Sequence, residues 1–243
     1  MTALMKPIAI AGLAASLFAG ASVQAGELTA NAAVNNNYIW RGLTQSINQA
    51  TVSGGLDYSS DNGVYVGTWA SNVEYAPGDP FSYEHDIYAG YAFDFRGFSY
   101  DVGYLYYNYD EEAEFDFGEI YGSISYGGFS LSVNLLTNTE ADEPVGVNFG
   151  FLDSQYVSAN YGFEVGNGVE VGLHVGWHNG DFNEAFNGVP RDYFDFNVSV
   201  AKSGFSFLVT TTDLPDGGAD GLDNDSVKFV VGYSHDFSLW GGE

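Results

Sequence analysis

Nine acidic side chains sit inside the apolar runs of this chain rather than between them: Asp57, Asp86, Asp94, Asp101, Glu119, Glu164, Glu170, Asp195 and Asp236. Carboxylates so placed could work with a histidine in acid–base or nucleophilic catalysis, could hold a hard cation, or could sort ions along a passage. Catalysis is poorly served. There are four histidines and no cysteine. A membrane-embedded hydrolase needs Ser, His and an acid or amide within hydrogen-bond reach. Ser234-His235 puts hydroxyl and imidazole on opposite faces of one strand, His174 and His178 share the face of Glu170, and His85 borders a loop. No residue is read as catalytic, and the chain is read as no enzyme.

Metal chemistry is the second possibility. Asp213, Asp216, Asp220, Asp223 and Asp225 could gather around calcium, but they lack the alternation and the closing Glu of an EF-hand loop, so a solvated loop is the reading. Glu170, His174 and His178 are read as hydrated wall rather than as a transition-metal site. No metal or cofactor is expected. The third possibility, an ion-sorting passage, depends on which face the strands turn inward.

Five turn tags divide the chain: Asp61-Asn62-Gly63-Val64, Arg96-Gly97-Phe98, Gly127-Gly128-Phe129, Asn167-Gly168-Val169 and Ser203-Gly204-Phe205. Glycine supplies the positive φ that a two-residue hairpin turn requires. The intervals, about 30 to 40 residues, hold two strands of about ten residues and one longer polar loop. Twelve strands are predicted, over 28–40, 50–60, 63–73, 83–96, 97–109, 115–126, 129–138, 154–165, 169–178, 192–202, 205–213 and 226–237. All short turns then lie at one end, with both termini. The other end carries long acidic loops such as Asp110-Glu111-Glu112-Ala113-Glu114.

Period-two alternation places Phe129, Leu131, Val133 and Leu135 on one face against Ser130, Ser132 and Asn134. It sets Val169, Val171, Leu173, Val175 and Trp177 against Glu170, Gly172, His174, Gly176 and His178, and Phe194, Phe196, Val198 and Val200 against Asp195, Asn197 and Ser199. A soluble sandwich would alternate too. Three observations favour a membrane. Residues 1–25, with Lys6 before the apolar stretch Ile8 to Val23 and small Ala25 at its end, read as a secretory signal peptide, leaving 26–243 as the barrel. The remaining basic residues, Arg41, Arg96, Arg191, Lys202 and Lys228, fall at or near strand ends, whereas a lipid-facing cation at the midplane would cost about 2–4 kcal/mol. Aromatics crowd the same ends: Tyr38, Trp40, Tyr106, Tyr107, Tyr109 and Trp177 at the outer rim, Phe98, Phe129 and Phe205 at the inner, as interfacial girdles do. No apolar run is long enough for a membrane helix.

These residues carry a resemblance. Tyr38-x-Trp40-Arg41-Gly42, Gly54-Gly55-x-Asp57-Tyr58, Gly63-x-Tyr65-x-Gly67-x-Trp69-x-Ser71-Asn72, Glu84-x-Asp86-x-Tyr88-x-Gly90-Tyr91 and Asp101-x-Gly103-Tyr104-x-Tyr106-Tyr107 resemble the TorF family of proteobacterial porin-like outer-membrane proteins. The resemblance covers roughly residues 29–121 and is architectural afterwards. It implies an outer-membrane barrel and a channel, and names no solute. The acidic loop after Tyr109 and the tail beyond Phe237 depart from the pattern.

The expectation is therefore an all-β transmembrane antiparallel barrel in the outer membrane of a Gram-negative bacterium, passing small hydrophilic solutes by diffusion. By parity the nine carboxylates face the lumen, with Arg41 and Lys228 as opposing cations and Tyr65, Trp69 and Tyr107 narrowing the bore, so that cations are preferred. The alternative is a non-conducting structural, ligand-binding or metal-binding barrel. Expected partners are outer-membrane lipid, lipopolysaccharide, the barrel-assembly machinery and small solutes. Nucleic acid is excluded by a net charge of −26.

Overall fold

A computed structural model describes residues 26–217 and 221–241; the expected signal peptide and Asp220 lie outside the described residues. Twelve antiparallel strands close into one barrel: β1 (Glu27–Asn35), β4 (Thr51–Ser59), β5 (Val64–Asn72), β6 (Tyr83–Phe95), β7 (Phe98–Asn108), β8 (Phe117–Tyr126), β9 (Phe129–Thr139), β10 (Gln155–Glu164), β11 (Glu170–Asn179), β12 (Asp192–Lys202), β13 (Phe205–Thr212) and β14 (Lys228–Trp240). Each strand pairs with its sequence neighbours, and β1 closes on β14 from Leu28↔Trp240 to Asn35↔Gly232. No edge is left open, as backbone in hydrocarbon requires.

The glycine tags are the short turns. Arg96 and Gly97 have φ of 53° and 83°, and Ser203 and Gly204 have 52° and 84°, the doubly positive pattern that matches strand twist in a two-residue hairpin. Outside, Val52, Leu56, Val66, Ile87, Val102, Leu131, Phe196, Val198, Phe207 and Val231 are exposed as an apolar band. A water-soluble barrel would have little reason to show such a belt.

Two strand ends differ from the sequence expectation. The last strand runs past Phe237 to Trp240, because β1 offers partners as far as Leu28. The first stops at Asn35 instead of residue 40. Beyond it the chain turns into the barrel and forms a minimal hairpin, β2 (Ile39–Trp40) and β3 (Leu43–Thr44), with Arg41 and Gly42 as its turn at φ of 49° and 82°. Asn37 through Ser46 are ten consecutive buried residues.

The core accordingly lies inside the barrel, at its long-loop end. Tyr38 and Trp40 pack there with Tyr107, Tyr109, Phe117 and Leu136, and the short helix α1 (Asp181–Asn187) covers them with Phe182 and Phe186. Ile39 packs against Leu208 and Val230 on the opposite wall. Tyr38, Trp40, Tyr107 and Tyr109 are thus interior, not girdle, residues, and Arg41 is no rim cation. Burying an aromatic side chain removes 150–250 Å² from water, an upper estimate of about 4–6 kcal/mol each. That is why the Tyr-x-Trp pair turns inward once the barrel offers an apolar interior surface.

Candidate functional site in the lumen

The hairpin tip is held by the wall. Arg41 Nη2 donates to Glu119 Oε2 at 2.5 Å and Nη1 to His178 Nε2 at 3.0 Å. Since a guanidinium can only donate, His178 accepts at Nε2, and its Nδ1–H points to Tyr193 Oη at 3.3 Å. Tyr193 in turn donates to the Arg41 carbonyl at 2.9 Å, closing the ring of hydrogen bonds. The guanidinium carbon lies 4.1 Å from the Trp40 ring centroid and 4.5 Å from that of Tyr156. Glu119 also accepts from Asn134 Nδ2 at 3.2 Å and Tyr107 Oη at 3.3 Å. A buried pair of this kind is stabilised by further hydrogen bonds; here Glu119 Oε2 accepts three in all and the guanidinium gives a second to His178.

Gly42 makes the docking possible. A Cβ there would stand 2.5 Å from Asp195 Cβ and 2.9 Å from Thr212 Cγ2. Asp195 is 1% exposed, bonded by Tyr156 Oη at 3.0 Å and His174 Nε2 at 2.9 Å. His174 Nδ1 meets Asn160 Oδ1 at 2.6 Å. Toward the loop end, Thr44 N donates to Asn224 Oδ1 and Tyr75 Oη to Gln45 Oε1, fastening the second half of the hairpin.

The nine carboxylates separate into three settings. Glu119, Asp195 and Asp86 are buried at the level of the hairpin. Glu84, of the Glu84-x-Asp86 motif but outside the nine, lies there too, 1% exposed and bonded by Tyr38 Oη at 2.6 Å and Tyr109 Oη at 2.9 Å. Asp86 Oδ1 has no hydrogen-bond partner. Asp57 and Asp101 are half-buried farther toward the short turns. Tyr88 Oη and Asn31 Nδ2 donate to Asp57, and Tyr65 Oη donates to Asp101 at 2.7 Å while meeting Tyr121 Oη at 2.5 Å. Asp94, Glu164 and Asp236 are exposed at the short-turn mouth, with Glu170 half-buried beside them. A cavity of about 340 Å³ opens there against Glu170, Lys202, Phe205 and Asp236. The tyrosines lie flat on the wall over glycines: a Cβ at Gly90 would strike the Tyr65 ring, and one at Gly103 the Tyr121 ring.

Tyr65 and Trp69 border the core from below, and Tyr107 is within it. Lys228 Nζ donates to the Leu222 and Asp223 carbonyls. Among the described residues, no three His, Asp or Glu side chains are gathered for a metal. One hydroxyl–imidazole pair lies on the outer face, Thr68 Oγ1 with His85 Nε2 at 2.7 Å. Thr68 gives its proton to the Asp86 carbonyl at 2.9 Å, so the imidazole donates to the hydroxyl, the reverse of what a general base does.

The sequence matches the family described as bacterial protein of unknown function (Gcw_chp) over residues 19–221, and the chain belongs to that family. No curated protein matches it. Among solved structures it resembles the KdgM porin, with a TM-score of 0.52 at 9% identity over 87% of this chain and 99% of that one. It is similar also to the NanC porin, with a TM-score of 0.52 at 8% identity over 88% and 100%. The KdgM porin has also been solved in complex with disordered oligogalacturonate, with the same coverage and score. At such identities the likeness is one of fold.

Proposed function

We propose that this chain is an outer-membrane channel of the porin class, passing small hydrophilic solutes with a preference for cations, in which the hairpin Asn37–Ser46 is the constriction. The observation that carries the reading is the closed twelve-stranded wall with an apolar outer belt and acids on its inner face. The resemblance of residues 29–121 to the TorF family is in keeping with it. Solute selection would fall to Asp57 and Asp101, whose oxygens are bonded by neutral donors only, with Tyr65, Trp69 and Tyr107 narrowing the path. A cation about 4 Å from one such carboxylate gains about 1 kcal/mol at bulk dielectric and about 4 at an effective value of 20. Lipid, lipopolysaccharide and the assembly machinery are its expected partners. With the hairpin seated, its buried side chains occupy the bore at the long-loop end, so larger current is expected when the hairpin shifts.

That filling favours a second reading, a non-conducting barrel. Planar-bilayer recording of the refolded chain separates them. For the channel, small openings are expected in the wild type, larger and longer ones when 37–46 is replaced by a Gly-Ser linker, and a reversal potential on the cation side. Asp57→Asn with Asp101→Asn should weaken that preference, whereas Glu111→Gln, Glu112→Gln and Glu114→Gln together should leave it near the wild-type value, since exposed loop charges are screened within about 8 Å. Silence from both wild type and linker variant would decide for the non-conducting barrel.

A further inference from the structure

We propose that the lumen wall around Arg41 is a guanidinium-binding site and that Arg41 is its tethered occupant, so that a solute with a guanidinium head competes with the hairpin for it. The acceptors belong to the wall. Glu119 comes from β8 and His178 from β11, 2.5 Å and 3.0 Å from the two terminal nitrogens, and the Tyr156 ring from β10 covers one face at 4.5 Å. The groups that orient these acceptors are wall residues as well. Tyr107 and Asn134 fix Glu119, and Tyr193 fixes His178. The acceptors and their side-chain supports thus belong to the wall, while the hairpin contributes the guest, the Trp40 face and the Arg41 carbonyl that Tyr193 bonds.

The chemistry is selective for a planar donor. Two acceptors met by two nitrogens, with an aromatic ring over the plane, suit a guanidinium and not an ammonium point charge. A second observation gives the sign. With Arg41 seated, Asp86 is 3% exposed with Oδ1 unpartnered, and Glu84 has tyrosine hydroxyls as its bonded partners. The acid that meets the guanidinium directly is Glu119, buried with it, so a positive guest is favoured over a neutral one.

Asn36 on one side and Asn48, Gln49 and Ala50 on the other are exposed, flanking the buried ten; Asn36 is bonded to the Phe229 carbonyl and the Val231 N–H, and Asn48 to the Gly221 and Leu222 carbonyls. Tyr38, Thr44 and Gln45 also hold the hairpin through Glu84, Asn224 and Tyr75, so a free guanidinium compound gains the site most readily when the Arg41 side chain is removed. Any effect on transport rests on the channel reading; the site itself does not.

The test uses the full refolded chain and ethylguanidinium chloride as probe, with tetramethylammonium chloride as control. By titration calorimetry, Arg41→Ala should bind ethylguanidinium at least about tenfold more tightly than the wild type does and should not bind tetramethylammonium. Adding Glu119→Gln should abolish binding. No binding by Arg41→Ala, equal binding of both cations, or indifference to Glu119→Gln would overturn the proposal. If Arg41→Ala does not refold alone, its refolding yield in mM ethylguanidinium replaces the titration: rescue by that cation alone supports the site, and no rescue overturns it. Neither readout requires current, so a silent barrel that passes this test would sink only the channel reading.

Discussion

Tyr193 holds Arg41 by the backbone while His178 holds it by the side chain, and the two holders are bonded to each other. The inserted hairpin is thus gripped at main chain and guanidinium together, and Glu119 supplies the counter-charge.

The grip should show strong coupling. Arg41→Ala leaves Glu119 buried without its cation, and Glu119→Gln leaves the guanidinium without its anion; each is expected to lose about 3–5 kcal/mol. The double variant should lose less than the sum, because two neutral groups bury more easily than one charge. Urea unfolding in detergent, read by heat-modifiable gel migration, measures all three. Additive losses would show that the pair is not a unit.

Gly42→Ala should loosen the hairpin while leaving the barrel closed. Its Cβ would meet Asp195 Cβ at 2.5 Å, and its φ of 82° disfavours any L side chain by about 1–2 kcal/mol. Limited proteolysis should cut between residues 36 and 50 at least several-fold faster than in the wild type. An unchanged cutting rate would mean the tip has room that the wall does not show.

Acid should release one outer loop before it harms the barrel. Partial burial pushes the Asp110 carboxyl up, but hydrogen bonds from Ser82 N–H, Ser82 Oγ–H and Tyr83 N–H outweigh it and hold the group below its ordinary value. A depressed folded-state value stabilises above the unfolded pKa, about 3.9, and that contribution is lost as pH falls through the lower folded value. The protection factors of the Ser82 and Tyr83 amides, taken against the intrinsic exchange rate at each pH, should therefore be high at neutral pH and fall only below the ordinary carboxylate range. Asp110→Asn should lower them at neutral pH, and equal protection in both proteins would dismiss the tie.

Membrane orientation follows from the turns. Short epitopes inserted near residues 78, 112, 147 and 184 should be reached by antibody on intact cells, and those at 62, 97 and 128 should not. Labelling at the glycine turns would invert the assignment.

What the sequence determined by itself is the wall. Alternation of period two, five glycine tags and inward acids are local features, and each strand pairs with its own sequence neighbour, so local signals suffice to order twelve strands. Even the hairpin had a local sign: Arg41-Gly42 adopts the same doubly positive turn as Arg96-Gly97. Only the second was read as a turn, because apolar strands flank it at full length, whereas Ile39-Trp40 and Leu43-Thr44 are two residues each. What fills the lumen was decided by tertiary structure alone. Tyr38 and Trp40 suit a lipid interface and a packed interior equally, and the choice rests on Glu84, Glu119, Tyr156, His178 and Tyr193, which are far along the chain and meet the hairpin only after the barrel has closed.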